Sequence, residues 1–284
     1  MIYLSTACSS HHKIKDSIIE MAKCGFNRIE LSGGTDYYQG IFADLVNLKK
    51  ELNLHFRLHN YFPPPQEHFV LNLASLNGEI FQRTINHYLT AIEMSHELGC
   101  SKLGIHAGYL IDIEKEYLGK TISNAGIIDK VKSMEQFCVG WNILKERANG
   151  LELYIENNVI SQNNYNSNRN SNPFMLTNYE EYKELRALID FRLLLDVGHL
   201  FVSSNTLGLD FKEELNNMIT ESDYLHISDN NGFSDQNKGL NPQGIIYSNL
   251  KKMNLTGKTI TLEIYGDMNE VSNSTQLLRE DLLI

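Results

Sequence analysis

At 284 residues, with 42% hydrophobic and 21% charged side chains, the chain has the make-up of a soluble globular protein large enough for one α/β barrel. Its 35 Asp and Glu against 25 Lys and Arg leave a net charge of −10, which argues against a general nucleic-acid binder or an anionic-membrane binder. No apolar run approaches the ~18 residues of a membrane span, and no basic stretch with a long apolar core opens the chain. The expectation is therefore a cytoplasmic protein without a signal peptide. Cys8, Cys24, Cys100 and Cys138 are widely spaced and read as reduced thiols.

Met1–Thr6 is a first strand, followed by a helix over 13–24 with apolar residues at helical spacing and Gly25 as its C-cap. Asn27–Leu31 is the second strand, and a helix near 40–51 follows. Leu54–Tyr61 is the third strand, stopped by Pro63–Pro65, and a long amphipathic helix runs from 77 to 98. Lys102–Ala107 is the fourth strand, with a helix over 129–148, and Leu151–Asn157 is the fifth. The Asn-rich stretch that follows, above all 161–172, predicts a long mobile loop at the barrel mouth, with a lid and an ordinary solvated loop as open alternatives. A helix at Tyr179–Ile189 precedes the sixth strand, 191–197. A helix near 210–220, the seventh strand Tyr224–Ser228, a short helix around 243–253 and the eighth strand Thr259–Tyr265 complete the pattern. Eight strands alternating with helices, with no domain-sized linker, predict a single-domain (β/α)8 TIM barrel. A doubly wound open sheet competes, but no G-x-G-x-x-G turn follows the first strand.

Side chains alternate along a strand, so each strand divides into an apolar face for the helices and a polar face for the barrel interior. The last inward residues are then Glu30, His59, His106, Glu156, Asp196, His226 and Glu263, from seven strands. Each alone has an ordinary explanation: Asp196 as a helix cap with His199 a surface residue, Glu30 and Glu263 as strand-end charges, His59 and His106 as satisfied core or rim histidines. Together they converge on the face where barrel enzymes keep their sites. Four carboxylates and three imidazoles cannot be buried without a counter-charge, and they suit a divalent zinc, manganese or cobalt ion, one or two per chain. On that ground the ligand reading of Asp196 displaces the capping one.

At these residues the sequence resembles the xylose isomerase-like TIM-barrel superfamily, which includes endonuclease IV and the sugar isomerases and epimerases. The carriers span nearly the whole chain: Gly25–Leu31, Leu58-His59-Asn60, Leu71–Ala74, Ile105–Gly108, Ile155-Glu156-Asn157, Leu195–His199, His226–Asn230 and Leu262-Glu263. The resemblance implies that Glu156, Asp196, His226 and Glu263 are the four-ligand metal set of the sugar epimerases. It implies that His59 and His106 are the extra histidines with which the endonuclease IV branch holds another metal. His199 and Asp235 match two of the three ligands of that branch's third metal, but Asn237 stands where the third, a histidine, is expected. Gln162 and Gly232 stand where the ketose 3-epimerases have a substrate-contacting Glu and Arg.

The first function expected is a metal-dependent isomerase or epimerase of a small sugar or sugar phosphate, working by proton transfer through a metal-bound enediolate. Glu156 and Glu263 would be base and acid on the two faces of one carbon, and His199 would orient a substrate oxygen. Arg57 or Lys102 would meet a phosphate, with Glu30, Asp229, Asp235 and Asn237 as further substrate contacts. The alternative is an endonuclease IV-like phosphodiesterase acting on abasic-site DNA, which His59 and His106 favour and the lack of a basic stripe opposes. A non-enzymatic barrel that binds metal or ligand as a partner module is a third reading. Nothing in the composition points to a membrane, and a homo-oligomer stays open.

Overall fold

The computed structural model describes residues 1–117, 120–122 and 129–281. Eight parallel strands close into a barrel in sequence order: β1 (Ile2–Ser5), β2 (Arg28–Leu31), β3 (His55–His59), β4 (Lys102–His106), β5 (Glu152–Glu156), β6 (Arg192–Asp196), β7 (Tyr224–Ile227) and β8 (Thr259–Leu262). The helices are α1 (Ile14–Lys23), α2 (Ile41–Glu51), α3 (Gly78–Glu97), α4 (Lys130–Arg147), α5 (Gln162–Ser167), α6 (Tyr179–Leu188), α7 (Val197–Leu207), α8 (Phe211–Thr220), α9 (Ile245–Leu250) and α10 (Met268–Asp281). The expected TIM barrel is the observed fold. No helix among the described residues is long and apolar enough to cross a membrane.

The outward strand residues join the helices in one apolar cluster: Ile29 and Leu31, Phe56 and Leu58, Leu103 and Ile105, Leu153 and Ile155, Leu193 and Leu195, Leu225 and Ile227, Ile260 and Leu262. Burial of each such side chain contributes about 1.5–3 kcal/mol of transfer free energy, so alternation fixes which face turns inward. Cross-strand register then sets the height of the inward residues. His106 pairs with Glu156 and Asp196 with His226, which brings those strand ends to a common level.

The lower part of the barrel is filled by side chains. Tyr154, Leu194 and Tyr224 are fully buried there, and the two tyrosine rings meet edge-on at 5.2 Å. Arg57, only 3% exposed, lays its guanidinium 3.6 Å from the Tyr3 ring centroid and 4.6 Å from that of Tyr224. Lys102 bonds the Tyr154 hydroxyl and lies 3.4 Å from Asp223 and 3.5 Å from Glu152.

Three segments differ from expectation. α7 starts directly after β6, and seven of its residues are buried, including Val197, Leu200, Phe201 and Val202. An almost fully packed helix has no amphipathic stripe to reveal it. α10 likewise lies outside the expected elements. The 161–172 stretch contains α5, whose N-cap Ser161 accepts from the Asn164 amide, and Asn164 Oδ1 accepts the Ile122 amide at 2.8 Å. Ser167 and Asn168 both donate to the Ile122 carbonyl. Asn164 and Asn168, part of the stretch expected to be a long mobile loop, are thus engaged with the Ile122 backbone. Beside them Val70, Tyr109, Ile111, Ile113, Ile122, Ile160 and Phe174 form a second apolar cluster, so segments following β3, β4 and β5 share one core at the mouth.

Candidate metal centre

His226, on β7, has no exposed surface and is the hub of the mouth. Its Nε2 lies 2.8 Å from Glu30 Oε1, and its Nδ1 lies 3.0 Å from Glu156 Oε1 and 3.2 Å from Glu263 Oε2. Glu156 Oε2 is 2.7 Å from His59 Nε2 and 2.9 Å from His106 Nε2. Three groups of donors each lie within 4.8 Å: Glu30, His59 and His226; His59, His106 and Glu156; and Glu156, Asp196, His226 and Glu263. All seven strand-end residues singled out by alternation therefore come together, and Glu156, His59 and His226 each belong to two groups.

Asp196 does two things at once. Its Oδ1 accepts the His199 amide at 2.7 Å and caps α7, while the carboxylate also belongs to the four-donor group. The capping reading is thus restored beside the ligand reading, because a strand that runs straight into a helix puts one residue at both places. Asn157, which sequence reasoning did not single out as a site residue, fixes this corner. Its amide donates to the Asp196 carbonyl at 3.0 Å and accepts from the Asp196 amide at 2.7 Å. Its own carbonyl accepts His199 Nδ1–H at 2.8 Å, which turns Nε2 toward Asp235 Oδ2 at 3.3 Å. The signal was present as an amide directly following Glu156 at the end of β5.

Asn237 is turned away from a ligand's task. Its Oδ1 accepts from Ser228 Oγ at 3.1 Å and its Nδ2 donates to Asp235 Oδ2 at 3.1 Å. Asp229 uses its carboxylate on the amides of Asn230 and Asn241, both within the loop after β7. Glu30 is held by Thr261, whose hydroxyl donates to Oε2 at 2.9 Å. Tyr109 sets its hydroxyl 3.4 Å from His106 Nδ1, linking that histidine to the second apolar cluster.

Arg57 and Lys102 are not brought to the mouth. Both point into the barrel, as expected, but Arg57 stands two residues before His59 and Lys102 four before His106. At about 3.3 Å per strand residue that is about 7 and 13 Å below the strand ends. Alternation fixes the face of a strand residue, not its depth.

The electrostatics are those of donors crowded around a shared centre. Burial works to raise the Glu156 carboxyl, but His59, His226 and His106 outweigh it and hold it well below the usual carboxylate range. Burial likewise opposes charge on His226, yet Glu30 and Glu156 raise it well above an ordinary imidazole. Burial also works against His59, and Glu156 turns the balance upward; in His106 burial prevails and lowers it. Burial pushes Asp196 up to about 7, against the pull of His199 and helped by Glu156 and Asp235.

The residues fit a divalent cation. Glu30 Oε1, Glu156 Oε1 and both ring nitrogens of His226 are buried atoms with no hydrogen-bond partner, although each lies near an opposite charge. Such atoms are costly unless paired, and a cation would pair them. A mixed set of carboxylates and imidazoles suits zinc, manganese or cobalt.

A family model described as a xylose isomerase-like TIM barrel matches residues 18–283. An uncharacterized protein of Methanocaldococcus jannaschii is 24% identical, the match covering 75% of this chain and 67% of that one. A solved D-tagatose 3-epimerase-like protein superposes with a TM-score of 0.71 at 21% identity, covering 99% of this chain and 97% of the other. The D-psicose 3-epimerase of Clostridium cellulolyticum gives 0.66 at 14%, covering 99% of each chain. Endonuclease IV of Thermus thermophilus gives 0.63 at 15%, covering 99% of this chain and 98% of the other. At these identities the structural likenesses establish the shared fold.

Proposed function

Because the chain belongs to the xylose isomerase-like TIM-barrel family, we propose that it is a divalent-metal-dependent isomerase or epimerase of a small, unphosphorylated sugar. The observation that carries this reading is the convergence of Glu156, Asp196, His226 and Glu263, whose donor atoms lie within 4.8 Å of one another. The sugar epimerase structures with the same fold support it. The engagement of Arg57 with Tyr3 and Tyr224, and of Lys102 with Tyr154, favours a substrate without a phosphate.

A cation held by those four residues would supply the Lewis acidity that makes a C–H beside a carbonyl acidic. The chain's own groups then move the proton. Glu156 and Glu263 both approach His226 Nδ1, at 3.0 and 3.2 Å, from β5 and from just past the end of β8, so two carboxylates from different strands serve one centre. One takes the proton from one face of the carbon and the other returns a proton to the opposite face. His199 is held at a fixed angle by the Asn157 carbonyl and Asp235, ready to orient a substrate oxygen.

The test is solvent exchange. Metal-loaded protein incubated in D2O with a panel of ketopentoses and ketohexoses should introduce deuterium at the carbon next to the carbonyl. Exchange should vanish in Glu156→Gln and Glu263→Gln. Full metal loading without exchange on any of the sugars counts against the reading.

The group His59, His106 and Glu156 favours a second reading, a phosphodiesterase with more than one metal. Incision of an abasic-site duplex at catalytic protein concentrations would establish it, with two or more metals per chain. The net charge of −10 and the engagement of Asn237 Oδ1 by the Ser228 hydroxyl favour the sugar.

A further inference from the structure

Of the four donors in the proposed metal group, Glu263 is the one that lies outside a strand. β8 ends at Leu262, so Glu263 is one residue beyond the ladder, and its side chain is 14% exposed where those of Glu156, Asp196 and His226 are at most 1% exposed. On the β7 side its amide reaches the Ile227 carbonyl at 3.3 Å. On the β1 side, the contacts flanking Glu263 come from a side chain. Cys8, in the 3-10 turn Thr6–Cys8 that follows β1, accepts the Ile264 amide on Sγ at 3.2 Å and donates its S–H to the Leu262 carbonyl at 3.3 Å. One thiol therefore spans the backbone immediately before and immediately after Glu263. It is 2% exposed and packed in the main core, so the clamp is rigid.

We infer that Cys8 is a positioning residue for the metal centre, acting through Glu263 by bridging the Leu262 carbonyl and the Ile264 amide. The inference rests on the metal reading given above. A sulfur atom suits the place because it spans two backbone groups at 3.2 and 3.3 Å, longer than hydroxyl bonds. Its loss would strand the buried Ile264 amide and free the Glu263 backbone to move relative to His226. Partners that orient metal ligands are typically worth 10–100-fold in metal affinity.

The test is a double-mutant cycle read by cobalt(II) titration, with visible absorption reporting occupancy and coordination. Cys8→Ala should weaken cobalt binding about tenfold and alter the absorption band. Cys8→Ser, which retains a donor and an acceptor, should recover most of the loss. In a Glu263→Gln background, Cys8→Ala should add no further loss, because the residue through which it acts no longer supplies a charged ligand. Should Cys8→Ala fail to fold, Cys8→Val carries the same comparison with the volume kept. An equal loss with and without Glu263 would mean a general structural role and overturn the inference, as would unchanged binding in Cys8→Ala. Absence of cobalt uptake by the wild-type chain would overturn the metal reading and the inference with it.

Discussion

Gly104 stands beside His59 so closely that a Cβ at position 104 would come within 2.7 Å of the imidazole Cδ2 and 2.8 Å of Leu194. It shares the inward face of β4 with Lys102 and His106, and its missing side chain is the space the His59 ring occupies. Gly104→Ala should therefore push His59 away from Glu156 Oε2. Overpacking of this kind costs about 1–3 kcal/mol. The expected result is a lower melting temperature and weaker metal binding, because Glu156 is shared between the His59 contact and the proposed metal group. Equal metal affinity and stability in the variant would show that the ring has room to retreat.

Asn157 gives a sharper case, because its side chain carries both backbone groups of Asp196. Asn157→Ala should leave a buried amide and carbonyl unpaired, at a cost of about 1–3 kcal/mol, and should loosen the corner that presents Asp196 and His199. Metal affinity should fall about 10–100-fold, the range for groups that orient ligands. Asn157→Asp should lose the donor to the Asp196 carbonyl while keeping the acceptor. Urea unfolding alongside calorimetric metal titration checks both; a variant that loses stability while its metal affinity holds would separate Asn157 from the centre.

The two tasks of Asp196 can be divided by substitution. Asparagine caps a helix as well as aspartate does, whereas alanine costs about 1 kcal/mol. Asp196→Asn should keep α7 intact and weaken metal binding, whereas Asp196→Ala should weaken metal binding to the same degree and unfold at lower denaturant. If the two variants unfold together in metal-free buffer, the cap contributes nothing to stability.

His87, on α3, offers a pH effect remote from the centre. Its Nε2 is buried without a hydrogen-bond partner, its ring meets Phe69 and Tyr88 edge-on, and burial pushes it down to about 4 from the ordinary 6.5. The unfolded chain then binds the proton more readily than the folded one. Stability is complete above about pH 6.5 and declines as pH falls toward 4, by at most about 3 kcal/mol at about 1.4 kcal/mol per pH unit. In His87→Phe that part of the pH dependence should disappear from denaturant midpoints measured between pH 4 and 7. A wild-type profile unchanged by the substitution would mean the imidazole finds water on protonation.

The barrel and the seven strand-end residues were legible because burial of Leu, Ile and Phe on one strand face forces the opposite face inward, and that rhythm is written in the chain. Depth was not legible. Arg57 and His59 share a face and differ only in height, which the closing register of neighbouring strands decides. The contributions of Asn157, Gly104 and Cys8 were hidden for a related reason: each acts on a strand other than its own or on backbone atoms, and no local pattern encodes such contacts. α7 escaped because a helix buried over most of its circumference carries no periodic signal.

Among the described residues, Tyr3, Arg57, Tyr224, Tyr154 and Lys102 pack together as a floor below the strand ends. On the proposed reading, cation, sugar and product would all pass the strand ends, and whatever arrives last would shield what lies deeper. Loading would then be ordered, the ion first and the sugar above it, with departure in reverse. A saturating sugar should then slow the escape of the ion to a chelator, so that the substrate would also guard the centre that acts on it.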